Sequence, residues 1–115
     1  MTAPGRKLDP SPARRYPRFA VDLRIKVRAY RNGQFSTCWG RSIELGCDGM
    51  GATLTGNLEV GEIVSLEIPL PLSPQPVKIR AAIRFRQGQR YGLEFLLIND
   101  AQRQAVDRAC EMLAT

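Results

Sequence analysis

Val21-Asp22-Leu23-Arg24-Ile25-Lys26-Val27-Arg28-Ala29, followed by Tyr30-Arg31-Asn32-Gly33, is the stretch that decides the fold. Apolar Val21, Leu23, Ile25, Val27 and Ala29 alternate with Asp22, Arg24, Lys26 and Arg28. Side chains of a strand point to opposite faces in turn, so a period of two predicts a strand with one buried face. Asn32 and Gly33 both tolerate positive φ, as a two-residue hairpin turn requires. The return strand is predicted from about Phe35 to Ile43, with Trp39 in it.

Working outward, a glycine-rich loop at 46–51 leads into a short strand from Gly51 to Thr55. Glu62 to Leu70 alternates again, with Ile63, Leu66 and Ile68 apolar. The proline run at 69–76 cannot sit inside a ladder, because proline has no N–H to donate. Val77 to Arg86 reads as a strand with Val77, Ile79, Ala81, Ile83 and Phe85 on one face. Gln87-Gly88 turns it into Arg90 to Leu97. A helix is predicted from Asp100 to about Leu113, with Asn99 as N-cap and Gln102 completing a capping box. Ala101, Ala105, Ala109, Met112 and Leu113 approximate its apolar stripe. Several short strands with local connections predict an all-β chain, a small antiparallel barrel or sandwich.

At 115 residues the chain has room for one small domain and a short tail. Residues 1–13 hold Pro4, Gly5, Pro10, Ser11 and Pro12 and read as a flexible lead, leaving 14–115 as the domain. The lead has no apolar stretch of the kind a signal peptide carries, so a cytoplasmic location is expected. No apolar run approaches the ~18 residues of a membrane span. The three cysteines, Cys38, Cys47 and Cys110, form no C-x-x-C, and there is no histidine. No metal site, cofactor or enzymatic activity is expected from such a set.

The net charge of +6 is unevenly placed. Residues 1–31 hold nine Lys or Arg against Asp9 and Asp22, while the remainder carries eight basic against nine acidic residues. The excess implies an anionic partner. Within it, Arg14, Arg15 and Arg18 fall in five residues just before the first strand. A guanidinium is a rigid fork that grips phosphate or the guanine O6/N7 edge and stacks on a base.

Arg14-x-x-x-Arg18, the loop Glu44-Leu45-Gly46-Cys47-Asp48-Gly49 and the late segment Tyr91-Gly92-Leu93-Glu94-Phe95 together resemble the PilZ domain family, which binds cyclic di-GMP. That family's signature is R-x-x-x-R in the N-terminal lead and [D/N]-x-S-x-x-G in the loop after the second strand. The first part is intact. In the second, Glu44 stands where Asp or Asn is usual, Gly46 where Ser is usual, and Gly49 matches. The resemblance spans roughly residues 14–113 and implies a six-stranded antiparallel β-barrel with a C-terminal α-helix.

By that resemblance Arg14 and Arg18 contact guanine and phosphate, and Arg15 assists with phosphate. Glu44 takes the acceptor role toward the guanine Watson–Crick edge, and Gly46 and Gly49 shape the loop. An alternative reading of Glu44 is a strand-end carboxylate paired with Arg41 or another arginine. Replacing the serine hydroxyl by glycine removes one hydrogen bond, about 1 kcal/mol or roughly fivefold in affinity. Cys47 sits where basic neighbours would lower a thiol pKa, although a bystander thiol is the plainer reading. Trp39, Tyr91 and Phe95 read as core or barrel wall.

The leading expectation is a cyclic di-GMP receptor and adaptor. Ligand would order the arginine lead, and a separate effector protein would read the change. The alternative is a degenerate PilZ-like interaction module that does not bind the nucleotide. Nucleic acid is not expected as a partner. Barrels that bind it need several exposed aromatics, and many of the eight here are claimed by the core.

Overall fold

The computed structural model describes residues 16–96 and 99–115. The expected lead over 1–13, and Arg14 and Arg15 with it, lie outside the described residues.

Strands β1 (Phe19–Ala20), β2 (Arg24–Arg31), β3 (Gln34–Leu45), β4 (Gly49–Leu54), β5 (Ile63–Ile68), β6 (Val77–Gln87) and β7 (Arg90–Leu96) precede helix α1 (Asp100–Ala114). All pairings are antiparallel, in the order β1-β3-β2-β5-β6-β7-β4. A further pairing of β3 with β4 closes β2–β7 into a six-stranded barrel, with β1 as an extra strand. Asn32 and Gly33 adopt φ of 52° and 77°, and Arg31 pairs with Gln34, so the two-residue hairpin forms as its residues predict.

Inward residues alternate along every barrel strand. Ile25, Val27, Leu45, Met50, Leu54, Leu66, Ile79, Ile83, Tyr91 and Leu93 are all buried in one core. The Tyr91 hydroxyl, taken into that core, accepts from Leu58 N at 3.1 Å and donates to the Gly56 carbonyl at 3.2 Å. Helix α1 carries the expected capping box: Asn99 accepts from Gln102 N at 2.8 Å and Gln102 Oε1 accepts from Asn99 N at 2.9 Å. Its buried face is Ala105, Val106, Ala109 and Cys110 rather than the stripe running from Ala101 to Met112, both of which are exposed. Period 3.6 groups 105, 106, 109 and 110 on one side, with 113 half-buried beside them.

The long alternating strand from Val21 is interrupted. Residues 21–23 leave the ladder between β1 and β2. Ser42, buried in β3, holds the break: its hydroxyl donates to the Val21 carbonyl at 2.6 Å and accepts from Leu23 N at 2.8 Å. Phe19 and Ala20 then rejoin β3 opposite Leu45 and Glu44. Arg18 is thereby delivered to the end of β3, next to the glycine-rich loop.

Two bulges reshape the outer surface of the barrel. In β3, Ser42 pairs with Ala52 and Glu44 with Gly51, so Ile43 is an inserted residue. In β6, Ile83 pairs with Leu93 and Phe85 with Gly92, so Arg84 is inserted. An inserted residue reverses which face each later side chain takes. Glu44 would otherwise follow Gly40 and Ser42 inward, and Phe85 would follow Ile79, Ala81 and Ile83. Both instead stand on the outside. Phe85, expected on the apolar face, is therefore half-exposed.

Candidate functional site

Glu44, Gly51, Gly92 and Phe85 form one cross-strand row over β3, β4, β7 and β6. The two central positions have no side chains. At ~4.8 Å between neighbouring strands, the row spans about 14 Å. Its floor is bare backbone, and its walls are a carboxylate at one end and an aromatic ring at the other. This trough holds about 420 Å³ and is bounded further by Arg18, Arg84, Arg90 and Glu94. Arg84 is held to Glu94 by a 2.6 Å contact between two exposed side chains, a pair of small energetic weight.

The carboxylate wall is built from the motif residues. Arg18 lies across the loop that follows β3, with its side chain only 8% exposed, and Glu44 is 6% exposed. Arg18 Nη1 donates to Glu44 Oε2 at 3.1 Å, and Arg18 Nε lies 3.4 Å from Asp48 Oδ1. The glycines make this possible. A Cβ on Gly46 would stand 2.6 Å from Arg18 Cδ and 2.9 Å from Pro17 O. One on Gly49 would stand 2.1 Å from the Leu93 carbonyl oxygen and 3.2 Å from Arg18 Nη2, and one on Gly51 would stand 3.0 Å from Glu44 Oε2. The role of these glycines is close approach, not an unusual backbone angle. The loop is pinned by Gly46 N to Gly49 O at 2.9 Å and by Phe95 N to Asp48 O at 2.9 Å.

Of the six residues singled out in the sequence, Arg18, Glu44, Gly46 and Gly49 are brought together, and Arg14 and Arg15 are outside the described residues. Glu44 is buried and is paired with another arginine, Arg18, rather than with Arg41, which pairs with Asp22 at 3.3 Å. Asp48, Phe85, Gly92 and Arg90 were not singled out as site residues. Gly92 carried a readable signal, since a glycine inside a strand marks close approach. Phe85 carried none, because only the bulge turns it outward.

Cys47 does not have the lowered pKa that basic neighbours would give it. Burial pushes its thiol up, and burial also pushes Cys110 up to about 12. Both are neutral thiols at physiological pH. Among the described residues, no cluster of Cys, Asp or Glu could hold a metal ion, and no helix is long and apolar enough to cross a membrane. Trp39 is not core: it is 44% exposed on the outer face of β3.

The fold is similar to several solved structures, three of which follow. One is the PilZ domain of CeSA from a cellulose-synthesizing bacterium, with TM-score 0.66 and 18% identity, covering 85% of this chain and 98% of that one. Another is the PilZ domain of YcgR from Escherichia coli, solved with cyclic di-GMP, with TM-score 0.67 and 19% identity over 89% of this chain and 92% of that one. The third is the inhibitor of motility MotI/DgrA of Bacillus subtilis, with TM-score 0.64 and 21% identity, covering 86% of this chain and half of that one. No curated protein matches the chain in sequence. The profile of the PilZ domain matches residues 12–112, nearly the whole length, and with the closed barrel this establishes that the chain belongs to the PilZ domain family.

Proposed function

We propose that this PilZ domain is a cyclic di-GMP receptor that acts as an adaptor toward a separate effector protein and is not an enzyme. The observation that carries the reading is the trough. The intact and altered motif positions, Arg18, Glu44, Gly46 and Gly49, gather at one end of a bare-backbone floor, and Phe85 stands at the other. A flat floor suits a planar base, and the Phe85 ring offers a face for stacking. Arg14, Arg15 and Arg90 supply charge for phosphates. The bound cyclic di-GMP of the YcgR domain supports the same ligand class here.

One feature of the chain changes the expected mechanism. Arg18 is engaged with Glu44 and Asp48 of its own chain. Breaking a buried ion pair costs roughly 3–5 kcal/mol. Ligand that pulled Arg18 away would lose about a hundredfold to several thousandfold in affinity. The favourable course leaves Arg18 as a fixed pillar, and the residues ordered by ligand are Arg14, Arg15 and the rest of the lead.

The same pairing favours a second reading, in which Glu44 and Gly46 have converted a ligand arginine into a structural one and the domain binds only protein. Calorimetric titration of cyclic di-GMP, with GTP as control, separates the two. Saturable binding that is lost in Arg14→Ala/Arg15→Ala and weakened in Phe85→Ala supports the receptor. A flat trace for the folded wild type at high protein concentration discards it in favour of the second reading.

A further inference from the structure

Strands β2 and β3 carry a second built surface, which the cyclic di-GMP reading does not use. The outward side chains of β2 are Arg24, Lys26, Arg28 and Tyr30, and those facing them on β3 are Arg41, Trp39, Thr37 and Phe35. Three aromatic rings stand in solvent here: Tyr30 62% exposed, Phe35 63% and Trp39 44%. Arg24 Cζ lies 4.7 Å from the Trp39 ring centroid and Lys26 Nζ 5.6 Å from it. Arg28 Cζ lies 4.6 Å from the Phe35 centroid, and Tyr30 meets Phe35 edge-on at 4.9 Å. The next strands extend the charge, with Arg80 opposite Ser65 and Lys78 opposite Glu67. Glu67 and Asp22 are the acids placed against it, and Asp22 is paired with Arg41.

The sequence argued against nucleic acid because the core was expected to consume the aromatics. The structure removes that objection. The core takes Tyr91 and Phe95, and Phe19 packs against it partly buried, whereas Tyr30, Phe35 and Trp39 stay out on the polar face. We infer that this face of β2 and β3 is a binding surface for single-stranded nucleic acid, with Trp39 and Phe35 as stacking platforms and the flanking cations as a phosphate track.

The chemistry selects this partner over an acidic protein. Protein interfaces gather apolar residues into a contiguous centre depleted in lysine. Here the rings form no such centre: Thr37 parts Trp39 from the Phe35–Tyr30 pair, and Arg24, Lys26 and Arg28 line them on β2. Two ring sites beside a row of cations suit a polymer that alternates bases and phosphates. Phe35 and Trp39 are four residues apart on one side of β3, about 13 Å at ~3.3 Å per residue, so they meet different bases of one strand. A duplex hides its base faces and could use only the charge.

Trp39 is the only tryptophan in the chain, so its fluorescence reports on this surface alone. Titration with a thymidylate oligomer of about 15 nucleotides, a length within the usual range for small barrels, is expected to quench it saturably. Binding should weaken with salt at a log–log slope of about −0.7 per phosphate contacted. Anisotropy of a labelled oligomer then tests the rings: Trp39→Ala and Phe35→Ala are each expected to weaken binding by about fivefold or more. Arg103→Ala, which removes an exposed cation on α1, should leave it within about twofold. No quenching at low salt overturns the proposal. So do equal responses to polyglutamate or to duplex DNA, which would mark a generic polyanion surface or an acidic-protein site. Quenching by anionic lipid vesicles with none by the oligomer would assign the face to a membrane and overturn it as well.

Discussion

Arg18 and Arg28 are ten residues apart and serve different surfaces. On the trough side, Arg18 is buried, its stem lies across Gly46, and its charge is met by Glu44 and Asp48. On the β2–β3 face, Arg24 and Arg28 are exposed, and the groups beneath them are the rings of Trp39 and Phe35. A buried guanidinium needs a carboxylate, because its desolvation is otherwise uncompensated. An exposed one keeps its water and is only biased toward a ring. The trough arginine is thus part of the fold, and the face arginines are available to whatever arrives. Strand β3 joins the two regimes: Phe35 and Trp39 belong to the face and, past the bulge at Ile43, Glu44 belongs to the trough.

The largest effect that tests this contrast is Glu44→Ala. It leaves the buried Arg18 with Asp48 and should destabilise the domain by roughly 3 kcal/mol in urea denaturation, against the 3–5 kcal/mol of fully broken buried pairs. A loss below about 0.5 kcal/mol, the level of an exposed pair, would erase the distinction between the two regions. Next is Gly46→Ser, which restores the usual family residue. Its Cβ collides with the Arg18 stem, so the cost should be about 1–3 kcal/mol. A double-mutant cycle with Arg18→Ala sharpens the contrast, since the penalty should shrink once the stem is gone. Strict additivity would show that something other than Arg18 fills the space.

Alkaline titration gives a third, smaller contrast. The Cys110 pKa is raised from 9.0 to about 12, first of all by burial. The unfolded chain therefore loses this proton before the folded one does. Stability from the neutral thiol is present below pH 9 and is lost as pH rises from about 9 toward about 12. Thermal melts at pH 8, 9 and 10 should show a decline that Cys110→Ala reduces. The smallest effect is Trp39→Ala, where losing exposed cation–π contacts should cost about 0.5–1 kcal/mol. A melt showing a cost of about 3 kcal/mol would mean that Trp39 is structural after all.

The strands, the Asn32-Gly33 hairpin and the α1 capping box were legible because each is a local signal: alternation, tolerance of positive φ, a cap with its partner three residues on. The trough was half legible. Arg18, Glu44, Gly46 and Gly49 stood in the sequence through family resemblance. Their mutual engagement did not, because nothing local says that Arg18 returns to the end of β3. Phe85 was misread for a sharper reason. Alternation assumes an unbroken register, and the inserted Arg84 reverses it without leaving a residue type that announces the change. Trp39 failed differently. Its strand face follows from alternation with Gly40 and Ser42, but an apolar side chain is assigned inward by default.

The seam between β4 and β7 has a kinetic meaning. Pairing of Gly49 with Glu94 and of Thr53 with Arg90 joins segments far apart in the chain, and such contacts carry the largest loop-closure cost during folding. Glycines at 49, 51 and 92 add backbone freedom to the same seam. The trough lies directly over it, so the trough exists only once the seam has formed. A molecule seated from Glu44 to Phe85 bridges four strands and acts as a staple on the closed state. It would slow unfolding far more than it speeds folding, and amide exchange along β4 and β7 would register its presence first.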